Sequence, residues 1–459
     1  MFFGVNTNFN FECNILKLKN LEWSLNIFIV QKIPVNCFIF TKILEMLRLF
    51  IFIGVVLALD FYAFQSFRSV TKNPWVIVIY IISTIAIFGN VIYHVVNFDR
   101  SATVNSGFYQ AFAFFVLFYI PKLFLLSAMF GEDVFRLFEG VYNAITTGPR
   151  SGGSIFNTRR KFIGQIALGV AAIPFLSILY GITKGKYNYK VLKYTLFFED
   201  LPKEFEGYKI TQISDIHSGS FDNKQKVEYA VDLVNKQKSD VIMFTGDLVN
   251  SKTSEMIPWK TTFSNLTAKD GIFSVLGNHD YGDYIKWESE EEKNQNFNDM
   301  LKLQKEIGFQ LLLDDAKFIQ REDQRIAVIG VENWGKGFKQ KGDLKKASSK
   351  IDANDFKILL SHDPSHWEYE VLKDNLHYHL TLSGHTHGMQ FGIEIPGLVK
   401  WSPIKWRYKY WAGVYQKANQ ILNVNRGFGY LAFPGRVGIW PEISVITLKK
   451  GKQDRNNIF

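Results

Sequence analysis

Four stretches of this chain are apolar for long enough to cross a bilayer, and that property limits its structure more than any other. They run over residues 47–67, 75–96, 108–130 and 162–180, close to the ~20 residues a spanning helix needs. A backbone in hydrocarbon has to satisfy its own hydrogen bonds, so each is expected as a helix. Buried helices of a soluble domain are the alternative, opposed by the length of the runs and by the polar residues between them. Asp60 inside the first run counts mildly against a span, although it lies in the second half, where a carboxylate can approach an interface.

The chain of 459 residues exceeds one average domain, so two or three structural units are expected. Its apolar share of 47% is uneven, dense up to about Tyr180 and mixed thereafter. A membrane region over 46–186 followed by a globular domain over 187–459 is the expected division. Residues 1–45 show no clear periodicity. Met46 is followed at once by Leu47-Arg48-Leu49-Phe50, so it is expected to be the true start, with 1–45 a non-native or disordered extension.

Lys and Arg in the connections orient the spans. Arg68 and Lys72 lie in the first connection, Arg100 offset by Asp99 in the second, and Arg136, Arg150, Arg159, Arg160 and Lys161 in the third. This places the first and third connections in the cytoplasm and the globular domain outside, in a multi-pass cell-membrane protein. Arg159 and Arg160 before the fourth run also resemble a twin-arginine export signal. Lys184, Lys186, Lys190 and Lys193 after it argue the other way.

The net charge of +10 suits a membrane surface or an anionic substrate. No basic helix or nucleic-acid motif accompanies it, so no nucleic-acid partner is expected. Both cysteines, Cys13 and Cys37, precede the first apolar run, so metals in the globular part must be held by oxygen and imidazole.

From about residue 187 strands and helices alternate. Residues 209–214, 241–245 and 272–276 read as strands, and 223–238 as an amphipathic helix with Val227, Val231 and Val234 on one face. Strand, helix, strand at this spacing gives parallel strands whose carboxyl ends line one ligand-binding edge. Further strands are expected at 310–313, 325–330, 357–360, 378–383 and 442–448, and the acidic segment from Trp287 to Ile307 reads as a surface helix. Five of these apolar runs end in metal-ligand chemistry: Asp215-Ile216-His217, Gly246-Asp247, Gly277-Asn278-His279-Asp280, Ser361-His362 and Gly384-His385-Thr386-His387.

These five blocks, in this order, resemble the calcineurin-like metallophosphoesterase family, in its membrane-anchored bacterial type, over roughly residues 195–450. The resemblance implies an α/β fold of four layers, two mixed β-sheets flanked by helices, here behind about four transmembrane helices. It implies that Asp215, His217 and His387 hold one metal, that Asn278, His362 and His385 hold the other, and that Asp247 bridges them. A donor set without thiolate suits Mn, Fe or Zn. The implied reaction is attack on phosphorus by a metal-bridging hydroxide, with His279 protonating the leaving oxygen and Asp280 orienting its ring.

His94, His366, His377 and His379 read as structural, and Asp363 is left outside the site. Arg426 and Arg436, in Gly-rich loops, suit phosphate oxygens or structural salt bridges. Trp401, Trp406, Tyr408, Tyr410 and Trp411, interleaved with Lys400, Lys405, Arg407 and Lys409, suit a bilayer headgroup layer or a hairpin packed on the sheet. The expected function is phosphodiester or pyrophosphate hydrolysis on a phosphoester substrate, with lipid or cell-envelope intermediates as candidates. A broad phosphomonoesterase and a non-catalytic metal-stabilised sensor are the alternatives. Oligomeric state is left open.

Overall fold

The computed structural model describes residues 33–99, 101, 106–146, 153–395 and 397–453. The expectations for residues 1–32, Arg100 and Arg150 lie outside them. The apolar runs are helices: α1 Ile33–Val70, α2 Pro74–Val96, α3 Ser106–Thr146 and α4 Gly153–Thr183. Segments of all four are long and apolar enough to cross a membrane. Helix α1 begins ahead of Met46, and α3 continues well past residue 130, with Pro121 inside it. Helix α2 buries none of its side chains; Trp75, Ile79, Ile82 and Ile85 all stand exposed, as lipid permits and water does not.

The chain falls into two units, one from the described residues of 1–85 and 119–173, the other from 86–118 and 174–453. The carboxylate of Asp60, in the first unit, is neutralised by the Lys122 ammonium. It also accepts the hydroxyl of Tyr119 at 2.9 Å, and the Lys122 ammonium lies over the Tyr119 ring. A charge inside a span is tolerable when so paired, which answers the objection that Asp60 raised.

In the second unit, the strands are β1 Lys190–Phe198, β2 Lys209–Ile213, β3 Val241–Phe244, β4 Ile272–Ser274, β5 Phe309–Leu311, β6 Asp315–Arg321, β7 Gln324–Gly330, β8 Phe356–Leu360, β9 Leu380–Ser383, β10 Ile393–Ile395, β11 Val399–Trp401, β12 Gly413–Lys417, β13 Gln420–Val424 and β14 Glu442–Lys450. The helices between them are α5 Lys224–Asn235, α6 Lys260–Ser264, α7 Glu290–Glu306, α8 Leu344–Ala347 and α9 Pro364–Tyr369.

One sheet has the order β1-β14-β2-β3-β4-β5 and the other β12-β13-β9-β8-β7-β6. Both are mixed: β2 to β5 run parallel while β14 lies antiparallel to β2, and β6 and β12 are the antiparallel edges of the second. Ile210, Met243 and Phe273 meet Val328, Ile358 and Leu380 between the sheets. On the outer face of the first sheet, Ile242 and Phe244 pack under Val227, Val231 and Val234 of α5 and Met300 and Leu303 of α7. The second sheet covers its outer face with Ala347 and Trp367. This is the expected four-layer order, and strands buried on both faces explain why their sequences are apolar runs.

Candidate metal centre

The strands β2, β3, β4, β8 and β9 all end on one edge, and the five chemistry-bearing blocks begin there. Tight turns follow at once. Asp215, His217, Asp247, His385 and His387 all adopt positive φ, between 47° and 70°, a conformation that costs a non-glycine residue free energy and concentrates at functional sites. Two glycines let the turns close. A Cβ on Gly384 would lie 1.9 Å from Ser214 Oγ, and one on Gly277 would lie 2.1 Å from Asp247 Oδ1. The His385 amide donates to Asp215 at 2.9 Å, and the His279 amide to Asp247 at 2.9 Å.

Two groups of side chains result: Asp215 with His217 and His387, and Asp247 with His362 and His385. His387 Nε2 is 3.3 Å from Asp215 Oδ1. Asn278 Oδ1 belongs to the second group, 2.8 Å from His385 Nδ1 and 3.2 Å from His362 Nε2. Asp247 Oδ2 lies between the groups, 3.4 Å from His217 Nε2 and 3.2 Å from His362 Nε2. The seven side chains expected from the sequence to hold metal are therefore together.

Their protonation is set by burial and by one another. Burial pushes Asp215 up to about 7; His362 opposes this and Asp247 adds to it. Burial also works against the charged forms of Asp247 and His362. Their mutual attraction overcomes it, holding Asp247 well below the carboxylate range and His362 up to about 10. Burial takes His217 down to about 3, His385 to about 4 and His387 well below its ordinary value.

Nε2 of His217 and Nε2 of His387 are buried without a hydrogen-bond partner. Neutral imidazoles with open lone pairs beside carboxylates suit a cation, and no thiolate is present. The donor set fits hard or borderline metals.

The partners around this cluster are partly those expected. Asp280 does not orient the His279 ring. The turn Asn278–Tyr281 aims it backwards, where its oxygens accept the amides of Asp247, Leu248 and Gly277 at 2.7–2.9 Å. The His279 ring instead has Nδ1 2.7 Å from the Asn250 carbonyl and stacks on Tyr284 at 4.3 Å. Two residues outside the expected site serve it. Tyr408 places its hydroxyl 2.9 Å from His385 Nε2 and 3.1 Å from Asp363 Oδ2. Asp363 also caps α9. The adjacency of Asp363 to His362 was a usable signal; nothing in the aromatic run singles out Tyr408.

Arg426 takes the salt-bridge alternative. Its donors meet Glu394 at 2.5 Å and 2.9 Å and Glu442 at 2.5 Å. Arg436 is fully buried behind His387, 3.1 Å from Nδ1, and donates to the Gly429 carbonyl. Of the aromatic run, Tyr408 and Trp411 pack with Ile404 and Ile439, while Trp406 is exposed. Of the histidines read as structural, His366 pairs with Ser361 at 2.8 Å and His379 with Asp200 at 2.7 Å.

An α/β sandwich with Asp, Asn and His gathered at one strand edge, behind apolar helices, defines a membrane-associated metallohydrolase. Comparison with known proteins supplies the particular family. The family described as "Probable Calcineurin-like phosphoesterase, transmembrane domain" matches residues 46–186, and "Calcineurin-like phosphoesterase" matches 208–389. The chain belongs to the calcineurin-like metallophosphoesterase family and is a hydrolase of phosphoester bonds. It is 28% identical over 305 residues to the Bacillus subtilis uncharacterized metallophosphoesterase YkuE, a match covering 64% of this chain and 98% of that one. Similarity to the Danio rerio transmembrane protein with metallophosphoesterase domain is 26%, covering 62% of this chain and 64% of that one. The Escherichia coli phosphodiesterase YaeI is 26% identical, over 63% of this chain and 99% of its own length.

Proposed function

We propose that this chain hydrolyses a phosphodiester or a pyrophosphate, with a lipid-linked or cell-envelope phosphate as its substrate. Asp215, His217 and His387 would hold one cation, Asn278, His362 and His385 a second, and Asp247 would bridge them. The carrying observation is the position of Asp247 Oδ2, within 3.4 Å of an imidazole from each group. Two cations there, Mn, Fe or Zn by the donor set, would supply Lewis-acid stabilisation of the phosphoryl oxygens and acidify the attacking water.

The chain's own residues do the rest. With Nδ1–H of His279 donating to the Asn250 carbonyl, Nε2 is the nitrogen that would take up the second proton and, from the imidazolium, deliver it to the leaving oxygen. Stacking on Tyr284 restrains the ring. Asp280, by accepting three backbone amides from two loops, keeps Asp247 and His279 in register. Arg436 buttresses His387 from behind, in place of a direct phosphate contact. The diester reading draws support from the name of YaeI, and the lipid reading from the four apolar helices. Residues 46–186 would form the membrane region and 187–459 the catalytic domain, facing out of the cytoplasm by the charge of the connections.

The test is hydrolysis by the full chain in detergent, metal-stripped and reloaded with Mn, on bis-aryl and mono-aryl phosphates and on a lipid-linked diphosphate, beside Asp247→Asn. Diester or diphosphate cleavage abolished in the variant is expected. Preference for the monoester would replace this reading with a phosphomonoesterase, and metal binding without turnover on any substrate would favour a sensor.

A further inference from the structure

The hairpin of β10 and β11 has its polar and apolar faces the wrong way round for a domain in water. In its register Ile393 pairs with Trp401, Glu394 with Lys400 and Ile395 with Val399. Side chains alternate between faces. The charged pair lies on the face toward the domain: half-buried Glu394 binds Arg426, and Lys400, exposed along its stem, bends its ammonium to donate to the Ala412 carbonyl at 2.6 Å above the Trp411 ring. The other face is left to the outside. Ile393 is 53% exposed, Ile395 48%, and Leu398 at the turn 76%. Trp406, 76% exposed, extends this surface through its edge contact with Trp401. Lys405, Arg407 and Lys409 stand exposed beside it.

The base of the hairpin is continuous with the end of the fourth apolar helix. The Gly392 amide donates to the Val437 carbonyl at 2.9 Å, and the neighbouring Arg436 amide donates to the Gly181 carbonyl of α4 at 3.2 Å. Tyr180 and Trp440 meet edge to face at 5.7 Å. The exposed apolar face is thus linked through two backbone hydrogen bonds to the last turn of the fourth apolar helix, and cations flank it as they would flank anionic headgroups.

We propose that the β10–β11 hairpin, with Trp406, is seated in the bilayer that carries the apolar helices, its tip in the headgroup and upper acyl layer, about 5–10 Å deep as for interfacial elements. Because β10 begins six residues after His387, the hairpin holds the edge bearing the candidate metal centre next to the lipid surface. The proposal rests on membrane association and not on the substrate reading, and its test reads no activity.

The full chain, with Cys13→Ser and Cys37→Ser, would carry an environment-sensitive fluorophore at Leu398→Cys, in phosphatidylcholine–phosphatidylglycerol vesicles. A label at Lys302→Cys on α7, whose side chain is 75% exposed, serves as reference. Expected at position 398 are blue-shifted emission, quenching by doxyl-labelled lipid and several-fold weaker quenching by iodide than at 302. Val399→Cys, on the same hairpin, gives an independent reading should the first variant misfold. Iodide quenching equal to that at 302 would overturn the proposal. So would shielding that disappears as the protein is diluted in lipid, which would assign the face to a second copy.

Discussion

Tyr408 was invisible as a site residue in the sequence, and its removal gives the sharpest test of the centre described above. Tyr408→Phe deletes one buried hydroxyl that lies 2.9 Å from His385 Nε2 and 3.1 Å from Asp363 Oδ2. Without it the ring nitrogen and the carboxylate face each other across 3.4 Å, too far for a good hydrogen bond. Leaving such groups unsatisfied costs ~1–3 kcal/mol. At ~1.4 kcal/mol per decade, affinity should fall roughly 5- to 150-fold, in the range for partners that orient metal-binding histidines.

The loss should be confined to the cation proposed at Asn278, His362 and His385. Calorimetric titration of the metal-free full chain with Mn should show one binding event weakened and the other kept, and excess Mn should restore most of kcat with KM unchanged. Wild-type affinity for both metals, or equal weakening of both, would refute the role assigned to Tyr408.

His279→Ala should leave cleavage of a nitrophenyl diester little changed, while slowing an alkyl diester by about 10²–10⁴-fold; the ratio of the two rates is the measurement. Arg426→Ala strands the carboxylates of Glu394 and Glu442, so urea unfolding should show a loss of ~3–5 kcal/mol with KM unchanged; a raised KM at unchanged stability would instead make Arg426 a phosphate contact. Burial holds His366 and His379 at about 4 against an ordinary 6.5. The unfolded chain therefore takes up protons that the folded chain refuses, and stability should fall as pH drops from 6.5 towards 4, by up to ~1.4 kcal/mol per pH unit and group. Unfolding of His379→Gln should show a shallower decline.

The seven clustered side chains were legible because each follows a short apolar run that can only be a buried strand, and the parallel topology brings those runs to one edge. Orientation was not legible. Asp280 and His279 are neighbours in sequence, yet the turn sends one to the backbone of β3's loop and the other to Asn250. Strands β1, β6 and β12 went unassigned, since Lys193, Lys317 and Gln416 interrupt their apolar pattern at exposed or half-exposed positions, and β13 because Gln420 and Asn423 are polar although buried, Asn423 bonding Gln212 between the sheets. The hairpin of β10 and β11 inverts the usual relation between polarity and burial, which no reading of periodicity detects. Arg426 lay in a loop that suits phosphate as well as carboxylate. Only the approach of Glu394 and Glu442 decided between them.

The position of β14 between β1 and β2 bears on how the molecule is made. Both neighbours are synthesised some 230 residues or more earlier, and pairing across such a separation is slow because loop closure precedes any gain from contacts. All seven clustered Asp, Asn and His residues have been translated before β14 begins. A chain stopped short of Glu442 would carry all seven metal-site side chains and still present two unpaired strand edges, a template for aggregation. Possession of the candidate site's residues and possession of a complete sheet are thus separate events in the life of this chain, and the second comes last.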